Sequence, residues 1–293
     1  MKKNKLTRWN AGDVLILIFL TAFALIILYP IYNTLLISLT NQSEYLSNPL
    51  MLWPKEVSLD SYKYVLGSSK IMRAFLNSVI VVIAGTVYNM LLSVSVAYAL
   101  TQKFPGRKVF RMFLIFTMYF GGGIVPTYLL MKDLHLLNNM LVLILPSAAN
   151  VAYIILLQRF FEEIPYELQE SAKIDGCTEV GILFKIILPL SLPALATFAL
   201  YYAVDHWNAW YSGMIYIKDS AKQPLQTVLR AIIQNAEASQ NPSTGGNSFN
   251  QETVYANGVK MASIFITMLP IMCLYPFLQR FFVGGLTVGA VKG

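Results

Sequence analysis

Apolar residues along this chain gather into six long runs separated by shorter polar stretches. They cover Asp13 to Leu39, Ala74 to Thr101, Phe110 to Met131, Met140 to Gln158, Ile186 to Val204 and Lys260 to Phe281. A helix needs about 20 apolar residues to cross a hydrocarbon core of ~30 Å, and each run meets or approaches that length. The pattern predicts an all-α, polytopic membrane protein with six transmembrane helices, built as a single domain over residues 1–293. Proline and glycine recur inside the runs, at Pro30, Gly85, Gly121 to Gly123, Pro146, Pro189, Pro193, Pro270 and Pro276. In a bundle, neighbouring helices and polar side chains satisfy the backbone groups that such residues free, so kinks are expected there.

The first run follows Lys2, Lys3, Lys5 and Arg8, and Ala22-Phe23-Ala24 imitates a cleavage site. It continues well beyond the roughly 7–15 residues of a signal-peptide core, which makes it an uncleaved span. With the N-terminus inside, the inner segments hold 13 of the 22 Lys and Arg residues. Four of these lie in the N-terminal tail and four in the 103–111 loop, whereas the longer outer segments share nine. That asymmetry is the positive-inside signal. It places both termini and the 159–185 loop in the cytoplasm, and the 205–259 loop outside.

Composition agrees: 56% of residues are hydrophobic and 13% charged, against about 45–50% and 25% in soluble domains. A disordered chain, a disulfide-stapled secreted domain and a coiled coil are excluded, and an ordinary cytosolic enzyme is disfavoured. The net charge of +7 serves as a topological label and calls for no nucleic acid. Cys177 and Cys273 are the two cysteines, and His135 and His206 lie far apart, so neither a disulfide framework nor a metal site is expected. No GxxxxGK[ST] phosphate loop, GxSxG or HExxH motif occurs, and no catalytic residue is assigned. Asp205 and Arg73 fall at span edges and the interiors hold almost no ionisable groups, which argues against a proton relay. A transporter with neither an ATP site nor a proton relay draws its energy from a partner subunit.

The segment from Arg159 to Pro193 carries the clearest signal. Glu162 and Glu163 suit the positive end of a helix that starts near Pro165. The helix is expected to run to about Ile174, with Ile164, Leu168, Ser171 and Ala172 on one face and Glu167, Glu170 and Lys173 flanking it. Asp175-Gly176 then stops it, the glycine being available for a left-handed cap. A second short helix from about Thr178 leads to Leu188-Pro189. On pattern alone, an amphipathic helix lying on the membrane surface and a helix that docks a partner both remain open.

Glu170-Ser171-Ala172-Lys173-Ile174-Asp175-Gly176, followed by Ile186-Ile187-Leu188-Pro189, resembles the cytoplasmic loop of ABC-importer permeases. That family's pattern is E-A-A-x-x-D-G with a downstream I-x-L-P, and serine here replaces the first alanine. Further stretches are similar to the smaller permease of carbohydrate importers of the maltose-transporter type, nearest the subgroup serving oligosaccharides and polysaccharide fragments. They include Trp53-Pro54-Lys55, Phe120-Gly121-Gly122-Gly123-Ile124-Val125-Pro126, His206-Trp207-Asn208-Ala209-Trp210 and the Gln279 to Gly293 tail.

The resemblance implies a type I ABC-importer permease fold in a bacterial cytoplasmic (inner) membrane. It gives Glu167, Glu170, Ser171, Ala172, Asp175, Gly176, Leu188 and Pro189 the role of coupling to ATPase subunits. It also implies a second permease subunit, two ATPase subunits that hold ATP and Mg, and an extracytoplasmic solute-binding protein. This chain itself would bind no cofactor, and the substrate would be a carbohydrate. Tyr119, Tyr201, Tyr202, Trp207, Asn208 and Trp210 are candidates for the substrate path, with an interfacial aromatic belt the competing reading. Asn77 and Asn89 suit interhelical hydrogen bonds equally well. The 234–258 stretch reads as a linker or as a probe of the binding protein. A self-contained secondary transporter or channel, or a membrane scaffold, is the alternative.

Overall fold

The computed structural model describes residues 11–47, 51–240 and 257–273. Every regular element among them is helical. The helices are α1 (Ala11–Ser38), α2 (Gln42–Ser47), α3 (Asp60–Gly67), α4 (Ser69–Thr101), α5 (Arg107–Tyr119), α6 (Ile124–Asp133) and α7 (Val151–Glu162). They continue with α8 (Tyr166–Ile174), α9 (Glu179–Ile182), α10 (Leu188–Leu190), α11 (Leu192–Trp207), α12 (Trp210–Tyr216), α13 (Leu225–Gln240) and α14 (Asn257–Cys273). Lysines 2, 3 and 5, the 241–256 part of the outer loop, and the Gln279 to Gly293 tail lie outside the described residues.

Two of these helices, α1 over Gly12–Ser38 and α4, are each long and apolar enough to cross a bilayer, and three further apolar stretches are bent pairs. α5 and α6 meet at 111°, the 140–147 turns and α7 at 54°, and the Glu179–Leu190 stretch and α11 at 86°. The run over 110–131 is therefore broken, at the Gly121 to Gly123 triplet, where the lack of side chains removes both the helix preference and the steric barrier to a sharp turn. Pro189 and Pro193 flank the 86° bend at Ser191, and a π-helical turn over Leu183–Ile187 precedes it.

The chain divides into two compact units. In one, the N-terminal two-thirds of α1 presents apolar side chains outward along its whole circumference, the signature of a lipid-facing or partner-facing helix. Pro30 sits within α1, and Thr34 Oγ1 donates to the Pro30 carbonyl at 2.8 Å. The lower turns tie to α3 through Ser38 Oγ and Tyr62 OH, 2.7 Å apart.

In the other unit, α4 packs along α7 and α11. Its buried positions include Ala74, Asn77, Ser78, Val81, Gly85, Asn89, Ser93, Ala97 and Leu100. They recur every three or four residues and form one stripe of mostly small or polar side chains. Small residues let membrane helices approach closely, and polar ones bond across the contact. Ser93 Oγ and Tyr202 OH stand 2.6 Å apart, and Asn89 Nδ2 donates to the Ser147 carbonyl at 3.1 Å and lies 3.1 Å from His206 Nε2. Asn77 Nδ2 donates to the carbonyls of Ala221 and Gln223 at 2.8 and 3.1 Å. Towards the loop end, Ala97, Leu100, Ile154, Leu157, Phe161, Ile182, Ile187 and Phe198 close an apolar core.

Candidate functional site

The residues singled out in the 159–193 segment form one structure. α8 begins after Pro165, whose ring presets the backbone for a helix start, and it ends where Gly176 adopts φ +79°. The turn is closed by Cys177 N to the Ala172 carbonyl at 2.8 Å and Gly176 N to the Lys173 carbonyl at 3.1 Å. This is a helix end that reverses through a left-handed glycine. Thr178 then caps α9, its Oγ1 accepting from Gly181 N at 3.2 Å. Lys173 Nζ bridges back to Glu179 Oε1 at 2.7 Å, and Tyr98 OH of α4 donates to Glu179 Oε2 at 2.9 Å. Hydrogen bonding to Glu179 raises the Lys173 pKa above its ordinary value of 10.5.

Two expectations are corrected. Glu162 is not at the start of α8; it is the last residue of α7. There it accepts from Arg107 at 3.0 Å, from Arg111 and Arg159 at 3.4 Å, and from Gln158 at 2.6 Å. It pins α7 to α5 instead of meeting a helix dipole. The inward face of α8 also differs: Ile164 and Ala172 touch the core, but Leu168 and Ser171 are exposed. Gln169 is buried in their place, with Gln102 Nε2 3.5 Å from its Oε1.

The outward face of α8 thus presents Glu167, Leu168, Glu170, Ser171 and Ile174, and Asp175 and Gly176 follow, also exposed; Ile174 is 86% exposed. Leu188 packs partly against the same core cluster that receives Ala172, whereas α10, with Pro189, leads into the 86° bend. The candidate coupling residues are therefore brought together around one core. Lys173 is committed to Glu179, so the free face is apolar and acidic.

The aromatic candidates divide. Tyr202 is 2% exposed, and its hydroxyl is held by Ser93 and by Asn150 N at 3.2 Å. Trp207 is buried, its indole N–H donating to the Thr267 carbonyl at 3.2 Å. Tyr119, Tyr201 and Asn208 are exposed, and Trp210 is half-buried. Tyr201 belongs to a ring cluster with Tyr153 and Phe198, and Tyr153 OH donates to Asp205 Oδ2 at 3.0 Å. Gln169, Tyr98, Lys173 and Glu179 were not read as partners from the sequence: Tyr98–Glu179 and Gln102–Gln169 join residues more than 60 positions apart, and Lys173–Glu179 forms across the turn at Gly176, whose path the local pattern does not specify. Among the described residues no group of three or more His, Cys, Asp or Glu side chains converges as metal ligands would.

Long apolar helices, some of them broken, a polar-striped α4 packed on α7 and α11, and an amphipathic α8 between the apolar stretches fit a membrane component. The model of the family described as "Binding-protein-dependent transport system inner membrane component" matches residues 8–288. The chain belongs to this family, and it is the permease component of a binding-protein-dependent ABC importer.

Among its relatives is the polygalacturonan/rhamnogalacturonan transport system permease protein YtcP of Bacillus subtilis (strain 168), 41% identical over 96% of this chain and 98% of that protein. Protein LplC of the same organism is 39% identical over 96% and 95%. A solved structure of a bacterial ABC transporter involved in the import of the acidic polysaccharide alginate contains a similar chain. It has TM-score 0.85 and 29% identity, covering 94% of this chain and 99% of that one.

Proposed function

We propose that this chain forms one half of the path by which an acidic oligosaccharide enters a bacterial cell. It would cross the cytoplasmic membrane six times with both termini inside, as a single domain, beside a second permease subunit. An extracytoplasmic binding protein delivers the substrate, and two ATPase subunits hold ATP and Mg and supply the energy. The sugar class rests on the printed roles of similar proteins, which concern polygalacturonan/rhamnogalacturonan and acidic alginate.

The observation that carries the coupling role is the free face of α8. It exposes Leu168 and Ile174 between Glu167, Glu170 and Asp175 while its other side is anchored by Ala172 and Gln169. An exposed apolar strip rimmed by charge is a partner surface. Its anchor at Ala172 lies on the core that reaches Ile187, Leu188 and α11, so a push on α8 is delivered to the bend. ATP-driven closure of the ATPase pair would move α8 and switch the cavity between inward-open and outward-open states, whose free energies the nucleotide changes. Glu170→Arg places a cation at the centre of this acidic face. It should reduce copurification of the ATPase subunit and abolish substrate-stimulated ATP hydrolysis, with the chain still inserted at normal level. Retention of both would overturn the assignment.

A further inference from the structure

Between α12 and α13 a cation and an aromatic ring are held in a fixed relation that the coupling role does not use. Gly213 of α12 faces Pro224 and Thr227, so the two elements lie close. Thr227 Oγ1 donates to the Trp210 carbonyl at 2.8 Å. Arg230 follows Thr227 by three residues and so falls on the same face of α13. Its guanidinium carbon stands 3.8 Å from the centroid of a Trp210 ring. The base of α13 is itself anchored, with Leu225 N donating to Ser78 Oγ at 2.8 Å and Leu225, Val228 and Leu229 buried.

Arg230 is nevertheless exposed, and the ion pairs among the described residues leave it without a carboxylate. Stacking on an indole occupies the flat face of a guanidinium and leaves its in-plane N–H groups free. Those donors match a carboxylate in a two-bond fork. Because the stack already fixes the rotamer, the ordering cost of binding is reduced. Tyr211, exposed and nearly perpendicular to Trp210 at 5.4 Å, extends the aromatic surface next to that ring. A charged donor beside aromatic surface is the chemistry that an acidic sugar requires, one part for its carboxylate and one for its C–H faces.

We propose that Arg230, seated on Trp210 beside Tyr211, is an outer-face subsite for the carboxylate of a uronate unit in the transported oligosaccharide. The proposal rests on the reading of the substrate as an acidic oligosaccharide entering from the side of the 205–259 loop.

The test uses the assembled complex with its binding protein in proteoliposomes, supplied with trigalacturonate or a mannuronate trimer. Arg230→Gln should raise the KM for uptake of the accepted trimer about tenfold, in keeping with loss of a charge-assisted bond. The affinity of the loaded binding protein for the complex should stay unchanged. Arg230→Lys, which keeps the charge but loses the fork, should fall between, and it serves if the glutamine variant does not assemble. Unchanged uptake in both variants removes the subsite. A weaker grip on the binding protein would instead make Arg230 a docking residue for a carboxylate of that protein, and would also overturn the proposal. If the wild-type complex takes up neither trimer, it is the acidic-oligosaccharide reading that fails.

Discussion

At the residue scale, two glycines do different work. Gly176 sits at φ +79° with open space where a Cβ would stand, so any cost of substitution there comes from the backbone and not from a clash. A β-branched residue is a severe outlier in that region, whereas asparagine enters it readily. Gly176→Val should therefore abolish substrate-stimulated ATPase activity of the assembled complex, and Gly176→Asn should retain most of it. Equal loss in both would mean that the position is sensitive to bulk and not to φ. Gly85 is the opposite case: its backbone is ordinary, but a Cβ would run into the ring of His206. Gly85→Ala should destabilise the detergent-solubilised protein by about 1–3 kcal/mol, the range for an overpacked core, read as a fall in Tm. His206→Ala in the same chain should recover part of that loss by making room, although it gives up the contact with Asn89. A double variant no more stable than Gly85→Ala would show that the contact does not limit the packing of α4 on α11.

At the element scale, the position of α8 depends on braces from other parts of the chain. Lys173 joins the end of α8 to the start of α9, where Glu179 also meets α4 through Tyr98. The folded pKa of Lys173 lies above its ordinary 10.5 because of the bond to Glu179. Its contribution is thus complete below the unfolded value and is lost only as pH rises through the raised one. Amide-exchange protection of the Asp175 to Cys177 turn, corrected for intrinsic rate, should be flat between pH 6 and 9 and drop above about 10.5. Lys173→Gln should show the loosened turn at every pH, and a steady decline between pH 7 and 9 in the wild type would count against the brace. The sequence made α8, its glycine stop and α9 legible because those signals are local: a proline, an acidic first turn, a glycine. It did not reveal which face turns inward. Gln169 is buried where Gln102, just beyond the end of α4, meets it, and Glu162 finds Arg107 and Arg111 more than 50 residues upstream. An acid next to a helix start looks the same locally whether it meets a dipole or three guanidinium groups. The broken spans were half legible for a similar reason. Glycine and proline marked where a bend was permitted, but the hydrophobicity on either side is equal, so the angle is set by packing that periodicity does not record.

At the scale of the whole molecule, the coupling role stands or falls with sidedness. ATP is on the cytoplasmic side, so α8 must be there too, and the subsite at Arg230 must face the opposite compartment. The positive-inside bias of Lys and Arg favours this arrangement: the N-terminal tail and the 103–111 loop carry four basic residues each, over a fraction of the length that the outer segments occupy. An odd number of spans between two of these segments would put them on opposite sides and break the pattern. With Cys177 and Cys273 replaced by alanine, single cysteines report side directly, since a charged maleimide does not cross the bilayer. Lys55→Cys, His135→Cys and Ser243→Cys should label in intact spheroplasts. Lys5→Cys, Gly106→Cys and Lys292→Cys should label only after permeabilisation. Labelling of Gly106→Cys from outside would place α8 with it, away from nucleotide, and would remove the mechanism whatever the geometry of the helix. Labelling of Ser243→Cys only after permeabilisation would leave α8 where it is needed but strand Arg230 inside, so the same experiment separates the energy-coupling site from the proposed sugar-carboxylate site.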